Sequence, residues 1–201
     1  RKWASKHENW QYHFNSENSG SPFIQWNKGI AMANAPFIWI AESDDYCDSS
    51  FLEELLPLLQ EQPQTGIAYG QSLLVDEQDK ILYSYQENLE FIYKSKAWES
   101  DFIKTGKEAC REWLLHHNPI PNASGILFRK EAFLKVGKAD PSMRLNGDWH
   151  LYAKILLHYD LAFKAKNLNY FRVHQATQRS KSIRNASVYS ELMSINTLIR
   201  K

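Results

Sequence analysis

The run Phe37-Ile38-Trp39-Ile40-Ala41 passes without a break into Glu42-Ser43-Asp44-Asp45, and no other stretch constrains the fold as much. Apolar residues in succession, without polar alternation, suit a strand covered on both faces, as inside a parallel sheet. The three carboxylates at its end repel one another unless something neutralises them. In open α/β sheets, ligands bind beyond the carboxyl ends of the strands. A hard divalent cation, Mg²⁺ or Mn²⁺, takes oxygen ligands and bridges one or two carboxylates to phosphate oxygens. The other use of Asp44, Asp45 and Asp48 is to break the strand and favour the positive end of the next helix. Both readings stand on these residues alone.

The rest of the chain alternates helix and strand. Asn27 to Asn34 reads as a short helix closed by Pro36. Ser50-x-x-Glu53 reads as a capping box opening a helix through Leu55, Leu56 and Leu59, which stops near Pro63. Gly66 to Val75 and Ile81 to Tyr85 read as strands around the polar turn Asp76–Lys80, and residues 86–104 as an irregular insertion or lid. A helix is expected from Thr105 to His117, an apolar strand from Ala123 to Phe128, and a short helix from Lys130 to Val136. Asp148 to Tyr159 carries one helical apolar stripe, and Leu161 to Val173 reads as strand, turn, strand. A tail helix from Ser182 bears Val188, Leu192, Ile195 and Ile199. Such alternation predicts an α/β fold with a mostly parallel central sheet and flanking helices.

With 201 residues, 43% of them hydrophobic, the chain can bury one sizeable core. A net charge of +1 gives no polybasic surface, so bulk attraction to nucleic acid or to a membrane is not indicated. No apolar run approaches the ~18 residues of a membrane span. Cys47 and Cys110 form no C-x-x-C pair, which favours free thiols in a reducing compartment. Asn122-Ala-Ser124 and Asn185-Ala-Ser187 match the glycosylation pattern, a match common by chance. His116-His117 reads as exposed polarity at a helix end, since adjacent helical residues diverge.

Taken in order, several short motifs share a resemblance. Asn18-Ser19-Gly20, Asn27-x-Gly29-Ile30-x-x-Ala33, Phe37-Ile38-Trp39-Ile40 and Glu42-Ser43-Asp44-Asp45 come first. Ala123 to Arg129, Val136-Gly137, Gly147-Asp148-Trp149-His150-Leu151 and Phe171-Arg172-Val173-His174 come after them. The series resembles that of the family-2 glycosyltransferases, which have the GT-A fold, and spans about residues 7–180. It implies an N-terminally incomplete GT-A domain over 1–181 and a tail helix over 182–201. Family members begin with a strand-helix-strand unit ending in a D-D-G-S-T-like turn, which these residues lack. Residues 1–14 resemble the segment after that turn, a short helix and then a strand near Trp10 to Phe14.

The resemblance also implies the chemistry. A sugar would pass from a nucleotide-diphospho-sugar, a UDP- or GDP-sugar, to a hydroxyl of a saccharide or lipid-linked acceptor. The reaction would be metal-dependent and inverting, in bacterial polysaccharide or cell-envelope glycan biosynthesis. Its setting would be the cytoplasm or the inner face of the membrane. Asp44, Asp45, Glu42 and Asn27 fall on the nucleotide-sugar side, Glu42 where relatives more often carry Asp. Asp45 and His174 fall on positions that meet the divalent cation, Mn²⁺ or Mg²⁺. Asp148 falls on the catalytic base, and Trp149 on an acceptor platform. Each has a plainer use: Asp148 as a helix cap, Trp149 as core, His174 as a strand-end histidine, Arg172 as the partner of a carboxylate. A noncatalytic GT-A-like domain that binds a sugar or a partner is the rival reading.

Overall fold

The computed structural model describes residues 9–174 and 186–201. At its centre β3 (Thr65–Val75) runs parallel to β7 (Asp160–Arg172). The opposite edge of β3 carries β6 (Ile126–Arg129) and, further along, β4 (Ile81–Ser84), both antiparallel. Outside β6 lies β1 (Phe37–Trp39), also antiparallel. The outer edge of β7 takes β5 (Phe102–Lys104) and β2 (Tyr46–Cys47), again antiparallel.

The sheet is therefore mixed, with one parallel pairing at its centre, and not the mostly parallel sheet that the apolar run predicts. The run reports cover on both faces, and that much holds for β1: Ile38 enters a large core, while Phe37 and Trp39 pack against a smaller one on the opposite face. β3 is covered likewise, with Ile67 and Tyr69 in the large core and Ala68 in the smaller. Burial on two faces says nothing about the direction of the neighbouring strand.

The smaller core lies under α2 (Phe51–Gln60), where Phe51, Leu55 and Leu59 pack on Ala68, Leu127, Ala162 and Leu168. The larger one lies under α1 (Pro22–Met32), α3 (Tyr85–Tyr93), α4 (Gly106–Ala109), α5 (Lys130–Lys135), α6 (Gly147–Leu156) and α7 (Ala186–Arg200). Beyond α4 the helix continues through Leu114 with π-helical winding. Trp98 is fully buried there, its indole N–H donating to the Tyr69 hydroxyl at 2.8 Å among Tyr93, Phe102 and Trp113.

Several local expectations change. Ser50 does precede α2, but its side chain makes no cap; its hydroxyl donates to Asp48 at 2.6 Å. The capping box that forms is Ser84 with Glu87, which starts α3 inside the stretch expected to be irregular. β7 is one strand, not two. Its register against β3 jumps from Lys164 to Asn167, so Ala165 and Lys166 bulge and read as a turn. Trp10 to Phe14 form no strand, and the helix expected before them falls on residues 1–8, outside the described residues. The tail helix is packed, with Ile195 and Ile199 in the larger core. Among the described residues, no helix is long and apolar enough to cross a membrane.

Candidate functional site

After β1 the chain continues to Glu42, held by the short 3-10 turn Ala123–Gly125. Trp39 donates its indole N–H to the Ser124 carbonyl at 2.8 Å, and the Glu42 amide donates to the Ser124 hydroxyl at 3.0 Å. Beyond Asp45, β2 pairs with β7, its Tyr46 ring stacked on Tyr170 with centroids 4.4 Å apart. Asp44 and Asp45 sit between these two anchors and point to different partners.

Asp45 turns inward. One carboxylate oxygen accepts from the Asn122 amide at 2.6 Å and the Ser124 hydroxyl at 2.8 Å; the other accepts from the Arg172 backbone N–H at 2.9 Å. Behind Asn122, the fully buried Asn169 donates to the Asn122 side-chain oxygen and to the Ser72 hydroxyl, both at 2.8 Å. Gly125 keeps this chain of amides close: a Cβ there would lie 3.1 Å from the Asn169 amide nitrogen and 3.2 Å from the Asn122 oxygen. Burial raises the Asp45 carboxyl above its usual range, against the lowering effect of its three donors.

Asp44 turns outward and meets His174, carboxylate to Nε2, at 3.0 Å; the other ring nitrogen lies 3.4 Å from Glu77. First Asp44 and then Glu77 hold the His174 pKa above its ordinary value. Arg172 ties the segment to the β3–β4 turn, donating to the Asp44 and Asp76 carbonyls and to the Asp79 carboxylate. Its guanidinium is thus a structural brace, and Asp79 is the carboxylate partner expected of it.

Asp148 sits in the first turn of α6, and its charge bears on Glu42. Burial pushes the Glu42 carboxyl up to about 7, helped by the charges of Asp45, Asp148 and Asp44 in that order. Tyr152, one helical turn past Asp148, is buried and has its phenol raised by burial and then by Asp148 and Glu42. Glu42 therefore feels acids from two elements far apart in sequence, and no cation of the protein is among the causes of its shift. Alongside runs an open groove of about 740 Å³ between α1 and β1, with Trp26, Gly29 and Ile30 on one wall and Trp39, Glu42 and Asp44 on the other.

Two expected site residues have other uses. Asn27 has both ends of its amide bonded to the Ala139 backbone, at 2.9 and 3.1 Å, clamping the loop after α5 onto α1. Trp149 is 8% exposed; its indole N–H donates to the Leu114 carbonyl at 3.1 Å and its ring meets His117 edge-on. It is core, not a platform. Residue patterns alone give no sign of Asn122, Ser124, Asn169 and Ser72 as site residues. The first two match a glycosylation pattern, and only the fold gives them Asp45.

A divalent cation fits one part of this arrangement. Among the described residues, no three His, Cys, Asp or Glu side chains form a group that could hold a metal ion by themselves. Cations of the Mg²⁺ type need only one or two protein ligands when phosphate oxygens supply the rest. Asp44 and His174 offer an oxygen and a nitrogen at the exposed strand end. Asp45, the other ligand expected from the sequence, accepts three protein hydrogen bonds.

A family model described as "Glycosyltransferase like family 2" matches residues 4–194. The chain belongs to that family. No curated protein sequence matches it. Among solved structures, it is similar to S. aureus TarS 1-349 in complex with UDP-GlcNAc, at a TM-score of 0.69 and 13% identity, covering 98% of this chain and 53% of that one. S. aureus TarS 1-349 in complex with UDP is similar at a TM-score of 0.60 and 15% identity, over 92% of this chain and 46% of that one. The fold is the GT-A type, and the chain spans about half the length of these relatives.

Proposed function

We propose that the protein transfers a sugar from a nucleotide-diphospho-sugar to an acceptor hydroxyl, with inversion at the sugar carbon. The observation that carries this reading is the arrangement of the two strand-end acids in a chain of this family, Asp45 bonded inward to Asn122, Ser124 and the Arg172 backbone and Asp44 turned out to His174. A sugar transferase needs two kinds of carboxylate in one place, one set for the diphosphate side and one for the acceptor proton.

In this reading the groove between α1 and β1 receives the donor, with Glu42 and Asp44 at its end. The TarS structures hold UDP-GlcNAc and UDP, which favours a UDP-sugar over a GDP-sugar here. Asp44 and His174 would hold Mn²⁺ or Mg²⁺, which when bound supplies charge stabilisation to the departing diphosphate. Asp45 stays in the protein, bonded to Asn122, Ser124 and Arg172, and fixes the strand end that presents Asp44. Asp148 takes the proton from the acceptor hydroxyl as the new bond forms on the face opposite the leaving group. The acceptor is a saccharide or a lipid-linked saccharide, and the setting is cell-envelope glycan synthesis on the cytoplasmic side.

The test is release of UDP or GDP from a panel of sugar nucleotides, with added acceptor saccharides, by the protein at its natural length. Asp148→Asn should lower kcat by about 10²- to 10⁴-fold while nucleotide affinity stays within about twofold. Full transfer by that variant would overturn the base assignment. No release from any sugar nucleotide would favour the noncatalytic rival.

A further inference from the structure

We infer that Glu191, on the tail helix α7, is a positioning residue for Asp148, so that this helix belongs to the catalytic unit. The inference rests on Asp148 being the base proposed above. Among the described residues, Glu191 is the one charged residue that is buried, at 7% exposed. A carboxylate taken out of water needs compensating donors, and its hydrogen bonds come from the three residues that lead into α6. One oxygen accepts the Arg144 backbone N–H at 2.6 Å. The other accepts the backbone N–H groups of Leu145 at 3.2 Å and Asn146 at 2.9 Å, and the Asn146 side-chain amide at 3.2 Å.

These bonds end two residues before Asp148. Asn146 stands at the cap position of α6, yet its side chain caps nothing; it turns to Glu191 instead. Three successive N–H groups pointed at one buried carboxylate fix the backbone direction in which α6 begins. On the other side Gly147 lies so close to Phe23 of α1 that an added Cβ would come within 2.4 Å of the ring. The start of α6 is therefore gripped from both flanks, by a ring of α1 and by a charge from α7. Ile195 and Ile199, one and two turns beyond Glu191, anchor α7 in the core and hold that charge in place. A base must stay within a few tenths of an ångström of its productive position, and these two flanking contacts supply that restraint.

A merely structural Glu191 and a positioning one differ in what its loss changes. In E191Q the side chain keeps its shape and loses its charge, so one end no longer accepts. We expect kcat for nucleotide release from UDP-GlcNAc and other UDP- and GDP-sugars to fall about 10- to 100-fold per folded molecule. Donor KM should remain within about twofold, and amide exchange across residues 144–148 should quicken at least about tenfold. Asn146→Ala removes one donor only and should give a smaller drop of the same kind. A kcat within about twofold of the unaltered protein in E191Q overturns the inference. If E191Q does not fold, unchanged kcat and unchanged exchange in Asn146→Ala overturn it. Asp148→Asn assayed alongside separates the two claims. An active Asp148→Asn sinks the base assignment, whereas an inactive one beside a fully active E191Q sinks only the role of Glu191.

Discussion

Asp45 and Asp44 are neighbours of the same type with opposite uses, and their partners explain the difference. Asp45 is held by Asn122, Ser124 and Arg172, while Asp44 faces solvent beside His174. Removing the Asn122 amide leaves a half-buried carboxylate short of a donor, so Asn122→Ala should lower stability by about 1–3 kcal/mol. Thermal unfolding followed by circular dichroism checks this; a change below about 0.5 kcal/mol would make the bond incidental. Glu42 gives a pH dependence of unusual sign. Its folded-state pKa of about 7 lies above the ordinary value of 4.5, so the folded protein holds this proton more tightly than the unfolded chain. Stability from this group is complete below about 4.5 and is lost as the pH rises through about 7, by up to ~3 kcal/mol. Glu42→Gln should flatten that dependence and raise the melting temperature at about pH 8 in chelator-treated protein. An unchanged slope would show that Glu42 ionises freely. The acids themselves were legible in the sequence, because carboxylates at a strand end are costly without a purpose. Their partners were not, because Asn122, Ser124 and Asn169 are ordinary polar residues until the fold stacks them behind Asp45.

Elements were legible where a periodic apolar pattern met a strong terminator. Examples are the hairpin of β3 and β4 around Asp76–Lys80 and α6 with its apolar stripe, whereas α1 begins at Pro22, five residues before the helix expected from Asn27, and ends at Met32. They were illegible where long-range contacts decide. The bulge in β7 exposes Ala165 and Lys166 and mimics a turn; Lys164 and Lys166 form ion pairs with Glu54 and Asp101 that the local sequence does not announce. Ser50 has the spacing of a capping box, yet Asp48 claims its hydroxyl, and the same spacing at Ser84 makes a real box. The start of α6 belongs to this scale too. Gly147→Ala would drive a methyl into the Phe23 ring. It should cost about 1–3 kcal/mol by overpacking and reduce transfer more than donor binding, since Asp148 is the next residue. Denaturant unfolding beside steady-state kinetics checks it, and a variant of unaltered stability and kcat would show that the contact yields freely.

Over the whole molecule, the family motifs were readable as an ordered series, whereas the direction of the strands was not. Apolar cover on both faces of β3 is satisfied equally by parallel and antiparallel neighbours. The fold adds convergence. Asp44, beyond the end of β1, meets His174, beyond the end of β7, and the charge of Asp148 at the start of α6 reaches Glu42 beside them. Glu191 of α7 then holds the segment that leads into α6. The central claim is that these acids serve a nucleotide diphosphate shared with a cation. Calorimetric titration of UDP into the natural-length protein, with and without Mn²⁺ and repeated for Asp44→Asn, tests it most directly. The expected result is that Mn²⁺ tightens UDP binding at least about tenfold in the unaltered protein and has no effect in the variant. UDP binding that is absent, or indifferent to Mn²⁺ in both proteins, would contradict it.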